Sequence, residues 1–268
     1  MNLLSLNPQQ KEAVLHNSGS LMILAGAGSG KTRVITQKIA YLIQEKKVNP
    51  LNILGVTFTN KSAHEMKARL MKTLGRGQLR GIILSTFHSL CVRILRADGL
   101  LINYQPRFSI YGTGDQISLI KQILLDSNCS LDEVDPDHIL SLISRAKNQL
   151  LLPEHLADTM AGDGFNQLFL KVYKAYQKRL FAHQAMDFDD LLLNTVLLLT
   201  GHEEIRGKYQ KRFRYILVDE YQDSNFAQFQ LIKLLSQGSS RITVVGDDDQ
   251  SIYRWRGADI GNILDFEK

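Results

Sequence analysis

Cysteine is scarce in this chain: its 268 residues hold two, Cys91 and Cys129, in no C-x-x-C pair and near no histidine grouping of zinc type. That count excludes a disulfide framework and a metal cage, and the two thiols read as reduced and structural. Long apolar runs are also lacking. No stretch reaches the roughly 18 uninterrupted apolar residues of a spanning helix. The opening MNLLSLNPQQKEAV lacks the basic start and apolar centre of a secretory signal. A cytoplasmic chain with no membrane partner is expected. Internal repeats and low-complexity segments are missing as well, so a solenoid or a disordered linker is not the reading. What remains, 44% hydrophobic with 22% charged, is a globular mixture long enough for one large or two ordinary domains.

The charge is uneven. The net formal charge is +5, yet from Arg33 to Arg80 ten Lys/Arg face only Glu45 and Glu65, whereas from Leu90 to Gln184 ten basic residues balance ten acidic ones. A local excess of this kind suits a polyanion partner, although a solvated face on the helix KSAHEMKARLMKTLGR accounts for it equally well.

Five short aliphatic or β-branched runs, 21–25, 52–59, 81–87, 215–220 and 241–246, read as strands, and helical patterns alternate with most of them. Alternation predicts an α/β fold with a parallel sheet covered on both faces and ligands at the carboxyl ends of its strands. Between Leu90 and Gln184 helical spacing takes over, as in DQISLIKQILLDS and NQLFLKVYKAYQKRLF, which predicts an inserted all-helical subdomain. The expected division is 1–89, 90–184 and 185–268. In MDFDDLLLNTVLLL, Asp187 is placed to cap a helix whose first turn carries Asp189 and Asp190.

The richest chemical signal is LMILAGAGSGKTRVITQKIAYLI, residues 21–43. A buried strand precedes the small residues and a helix follows them. Gly26, Gly28 and Gly30 let backbone N–H groups turn inward around an anion at the positive end of that helix. Lys31 supplies a mobile cation for the β and γ phosphates, and Thr32 a hydroxyl for Mg2+. The pattern is G-x-x-x-x-G-K-[ST], with Ala25 in the first glycine position. The expected ATP-binding set is Ala25, Gly26, Ala27, Gly28, Ser29, Gly30, Lys31, Thr32 and Arg33.

Downstream, YILVDEYQD ends an apolar strand in two carboxylates. Asp219 can hold Mg2+ through its water shell, while Glu220 approaches the attacking water as general base. VVGDDDQSIYRWRGAD then opens another strand into acids and Gln250, which can hydrogen-bond a γ-phosphate or a water. Tyr253, Trp255 and Arg256 follow. Aromatics interleaved with arginines suit stacking on single-stranded nucleic acid, and they suit core packing as well. TFTNKSAHEM and STFHSL leave their strands through aromatic and hydroxylic residues that can meet bases and phosphates.

The ordered set LNPQQKEAV, AGAGSGKT, TFTNKSAHEM, STFHSL, LVDEYQD and VVGDDDQSIYRWRGA resembles superfamily 1 DNA helicases of the Rep/UvrD/PcrA group over nearly the whole chain. The resemblance implies a RecA-like ATPase subdomain 1A interrupted by the helical subdomain 1B, with ATP and Mg2+ as cofactors. It implies that Gln10 reads the adenine, that Asp219 and Glu220 are the Walker B pair, and that Gln250 senses the γ-phosphate. Phe58, Tyr253 and Trp255 would stack on single-stranded DNA, with Thr59, Asn60, His88 and Arg256 along its backbone. Duplex junctions, movement from 3′ toward 5′, and replication or repair partners are implied with them. The later motifs of that group, including an arginine from a second RecA-like domain in cis, would follow Lys268. The chain is therefore expected to be a truncated amino-terminal half that hydrolyses ATP weakly and does not unwind alone. Two other functions remain open: a nucleotide-gated DNA or protein interaction module, and a helicase subunit of a recombination nuclease.

Overall fold

The computed structural model describes residues 6–26, 28–157, 164–238 and 241–247. The chain divides into two compact units, one running to Leu90 and resuming at Leu199, the other spanning Cys91–Leu198.

The five expected strands form the first unit's sheet: β1 (Leu21–Leu24), β2 (Ile53–Thr57), β3 (Ile83–Thr86), and, past the helical unit, the strands Tyr215–Val218 and Arg241–Gly246. All neighbours are parallel, and Tyr215–Val218 lies between β2 and Arg241–Gly246, with β1 on the outer side of the latter. Helices α1 (Pro8–Leu15), α2 (Lys31–Gln44) and α3 (Asn60–Leu74) belong to this unit. The apolar stripe of α2, Ile35, Ile39 and Leu42, meets Met66 and Leu70 of α3 and Leu217 and Val245 of the sheet. Spacing of three and four on the helices and two on the strands puts those side chains on facing surfaces. Gly55 makes the contact close, since a Cβ there would stand 2.7 Å from a Leu84 methyl. Four of the strands stop one or two residues short of the sequence runs, as before Phe58 and Asp219, and Arg241–Gly246 matches its run.

The chain leaves this unit within α4 (Phe87–Asp98). The second unit is built on α5 (Thr113–Asp126), α6 (Pro136–Asn148) and α8 (Gly164–Ala182), with the short α7 (Pro153–Ala157) beside them. Leu119, Ile120 and Ile123 of α5, Ile139 and Ile143 of α6, and Val172, Tyr173 and Tyr176 of α8 share one core. A parallel pair of two-residue strands, β4 (Ser109–Ile110) and β5 (Ala185–Met186), adds to the helices an element that the sequence pattern did not announce. Two residues are too few for a period of two to register.

The helical unit also keeps residues 185–198, most of α9 (Phe188–Gly201), which the sequence reading assigned to the sheet unit. Pairing of β5 with β4, the packing of Ala185 in the helical core and a buried charge cluster all tie this stretch to it. Asp187 accepts from the Asp190 backbone N–H at 2.8 Å, as a cap should. Both carboxylates also bind the fully buried Lys147 of α6, at 2.6 and 2.8 Å. After α10 (Glu203–Arg212), the strand Tyr215–Val218 is β6, the helix Phe226–Ser236 is α11, and the strand Arg241–Gly246 is β7.

Candidate nucleotide site

β1 ends at Leu24, and Ala25 extends its pairing by donating its N–H to the Gly246 carbonyl at 3.0 Å. The chain then turns through Gly28 and Gly30, at φ +72° and +87°, a region that a side chain would strain. Gly30 is the N-cap of α2, so the first N–H groups of a 14-residue helix point out of the loop without a side-chain cap. That is an anion-binding geometry built from backbone alone. Ser29 N–H closes the turn on Gly26 O at 3.3 Å. Ala27 lies outside the described residues.

Gln10 reaches this loop from α1. It is the N3 residue of a capping box with Asn7, and its Nε2 donates to Ser29 O at 2.8 Å. Lys38 of α2 fastens α1 in place by donating Nζ to the carbonyls of Ala13 and His16, at 2.9 and 2.6 Å, near the helix's negative end. Burial pushes its pKa down to about 8.

Lys31 is buried at the start of α2, and its Nζ lies 3.0 Å from Asp247 Oδ2 and 3.8 Å from Glu220 Oε2. Asp219, at the end of β6, accepts a hydrogen bond from the Thr32 hydroxyl. Burial, and then the neighbouring Glu220 charge, push its pKa up to about 6 in spite of that bond. Glu220 sits at φ +55°, a left-handed conformation that costs free energy in a residue with a side chain. It remains 35% exposed, and Gln222 Nε2 donates to its Oε2 at 2.7 Å. The same Gln222 accepts from the Asp247 N–H at 3.0 Å, tying the ends of β6 and β7 together. Two carboxylates thus meet one lysine at the carboxyl edge of the sheet, with Asp219 next to Glu220 in the chain.

The donor set suits a hard cation. Among the described residues no group of three or more His, Cys, Asp or Glu side chains forms a metal cage. One carboxylate and one hydroxyl beside a phosphate loop nevertheless match Mg2+, which takes few protein ligands and keeps its waters and the substrate's phosphates. The surplus negative charge and the raised Asp219 favour a cation there.

A second group of residues gathers at the same carboxyl edge, on the β2 and β3 side. Phe58, half-buried, packs edge-on against Phe87 with ring centroids 5.4 Å apart. The Thr59 hydroxyl is engaged as the N-cap of α3, accepting from Ser62 N–H at 3.1 Å. Asn60 is exposed and His88 half-buried. On α3, Lys61, Lys67, Arg69 and Lys72 are exposed, and among the described residues only Arg69 of these makes an ion pair, with the helix's own Glu65 at 3.7 Å. Gln250, Tyr253, Trp255 and Arg256 lie outside the described residues. Sequence reasoning missed Asp247 and Gln222 as partners of Lys31 and Glu220. The run of acids after β7 was the available signal for the first, and nothing local marked the second.

Comparison with known proteins bears on the same residues. The family described as the UvrD/REP helicase N-terminal domain matches residues 6–268. The ATP-dependent DNA helicase PcrA of Bacillus subtilis is 53% identical over 99% of this chain. Those of Staphylococcus epidermidis and Staphylococcus aureus are 49% identical over 98%. The chain spans 36% of the length of each of these relatives.

Proposed function

The chain belongs to the UvrD/REP helicase N-terminal domain family, and from that premise we propose that it supplies the ATP site and part of the single-strand DNA track of an ATP-dependent DNA helicase or translocase. The observation that carries the proposal is Lys31, held at the mouth of a glycine-opened helix against Asp247 and, more loosely, Glu220. In this reading ATP lays its phosphates in the loop between Gly26 and Thr32. The N–H groups at the start of α2 and the Lys31 ammonium take the β and γ oxygens, Lys31 exchanging Asp247 for phosphate. Gln10, already on the loop, is the candidate for reading the base. Mg2+, when bound, would neutralise phosphate charge beside Thr32 and Asp219.

Glu220 is the candidate base. Its carboxylate is partly open to water, its Oε2 is steadied by Gln222, and its left-handed backbone turns it away from the strand's own alternation. Asp219, buried and bonded to Thr32, is less open to an incoming water and better placed to anchor a cation. Phe58, Asn60 and the exposed cations of α3 support a track for a single strand, the ring stacking on bases and the lysines meeting phosphates.

The test separates the two roles. Lys31→Ala should weaken binding of a fluorescent ATP analogue by at least tenfold, whereas Glu220→Gln should keep that binding and lose phosphate release stimulated by single-stranded DNA. Normal phosphate release in Glu220→Gln would remove Glu220 from the reaction. Absence of nucleotide binding in the unaltered chain would remove the whole reading.

A further inference from the structure

The last position of β2 holds a polar group that, among the described residues, neither the phosphate loop nor the carboxylate cluster uses. Thr57, the last residue of β2, is 1% exposed, and among the described residues its hydroxyl has no hydrogen-bond partner. A buried hydroxyl without a partner destabilises a fold, so its retention at this place calls for a ligand that arrives later.

Register says where it stands. Val56 pairs with Val218, and the Asp219 N–H continues the ladder by donating to Val56 O at 2.9 Å, so Thr57 lies beside Asp219 on the neighbouring strand. Alternation puts both on one face. Gly55 abuts Ile39 and Met66, and Leu217 belongs to the core built on α2 and α3, so Thr57 and Asp219, two residues further along, share that side with Thr32. On the other flank Thr86 is spoken for, its hydroxyl donating to Ser89 Oγ at 3.0 Å. Among the described residues Thr57 is therefore the orphan in a row whose other polar members are engaged, next to the carboxylate that Thr32 binds. Phe58 of the proposed DNA track is the next residue.

We propose that the Thr57 hydroxyl is a positioning group of the nucleotide site, a third protein oxygen beside Thr32 and Asp219 that holds a water of the shell around nucleotide-bound Mg2+. This rests on the ATP-site reading and deepens it. A hydroxyl suits the task because it can donate to Asp219 or accept from a water without adding charge to a cluster that already carries a surplus of carboxylates.

Thr57→Val keeps the shape and removes the hydroxyl, and Thr57→Ser keeps the hydroxyl. Affinity for a fluorescent ADP would be titrated in Mg2+ and in excess chelator, alongside the thermal midpoint of the ligand-free chain. With Mg2+, Thr57→Val should bind roughly 5- to 10-fold more weakly, the range of one hydrogen bond. In chelator it should match the unaltered chain, and Thr57→Ser should stay within about twofold of it under both conditions. The ligand-free midpoint of Thr57→Val should equal or exceed that of the unaltered chain, because an unpartnered hydroxyl has been replaced by a methyl. Three results overturn the proposal: unchanged affinity of Thr57→Val in Mg2+, an equal loss with and without Mg2+, or a lowered ligand-free midpoint, which would reveal a structural partner for the hydroxyl. If the unaltered chain binds Mg2+ and ADP while Thr57→Val behaves identically, only the role of Thr57 falls. If the unaltered chain shows no Mg2+-dependent binding, the ATP-site reading falls with it.

Discussion

Each unit of this chain contains a lysine among carboxylates, and the two clusters are finished differently. In the helical unit Lys147, Asp187 and Asp190 are 0%, 2% and 0% exposed. All four carboxylate oxygens have donors. Asp187 Oδ2 takes Lys147 and the Tyr176 hydroxyl, and its Oδ1 takes the Asp190 N–H. Asp190 Oδ1 takes Lys147 and Gln177, and its Oδ2 takes the Asp187 N–H. Burial disfavours the Lys147 charge, yet the two aspartates hold its pKa above the ordinary value. In the sheet unit Lys31 has a close partner in Asp247 and a loose one in Glu220, Asp219 is raised to about 6, and Thr57 has no partner among the described residues. The closed cluster has nothing left to offer a ligand, and its work is to pin α6, α8 and the start of α9. The open one leaves charge and hydrogen-bonding capacity unspent, as a binding site must.

The largest effect expected from breaking this contrast is at Lys147. Lys147→Met should destabilise the chain by about 3–5 kcal/mol in urea denaturation, because two buried carboxylates lose their counter-ion. Lys31→Met should cost less than half as much while removing nucleotide binding. Equal losses at the two sites would erase the distinction.

Next is the pH dependence of Asp219. Its folded pKa, about 6, lies above the ordinary aspartate value of 3.8, so the folded chain holds an extra proton between those values. Stability contributed by that proton is present at low pH and is lost as pH rises from about 4 to about 6, a difference on the order of 3 kcal/mol. Asp190, also raised to about 6, has the same sign, so the informative quantity is the difference between the unaltered chain and Asp219→Asn in denaturation curves at pH 4.5 and 7. Without Mg2+ the variant should gain on the unaltered chain as pH rises. A difference that does not change with pH would show that Asp219 titrates normally.

The smallest effect sharpens the DNA side. Thr59→Ala removes the cap of α3 and should lower stability by about 1 kcal/mol. If capping is its task, single-strand affinity should change by less than about twofold, whereas Asn60→Ala should weaken it more. A large loss of DNA affinity in Thr59→Ala with unchanged stability would reverse that assignment.

Much of the sheet unit was legible because its signals are local. Five aliphatic runs became five parallel strands, and the glycines before Lys31 became a left-handed turn into α2, since both follow from backbone sterics and a period that a short window contains. Gln10 is a different case. Its capping box can be read from N-P-Q-Q, but its bond to Ser29 spans 19 positions and needed the packing of α1 on α2. The helical unit was legible as helices and no further. Lys147 sits in an ordinary amphipathic stretch, and nothing around it announces that Asp187, 40 positions away, will enclose it.

The sequence by itself therefore determined the element types, the parallel α/β class, the glycine turn into α2 and the two carboxylates at the end of β6, because each is a matter of neighbouring residues and backbone conformation. Tertiary structure alone decided which charges meet. It set Asp247 rather than Asp219 against Lys31, placed Gln222 between Glu220 and Asp247, kept the start of α9 with the helical unit, and left the Thr57 hydroxyl without a partner among the described residues. The physical reason is that Coulomb and hydrogen-bond terms depend on distance and burial, and in a parallel sheet both are fixed by strand order and register, which join residues that the chain keeps far apart.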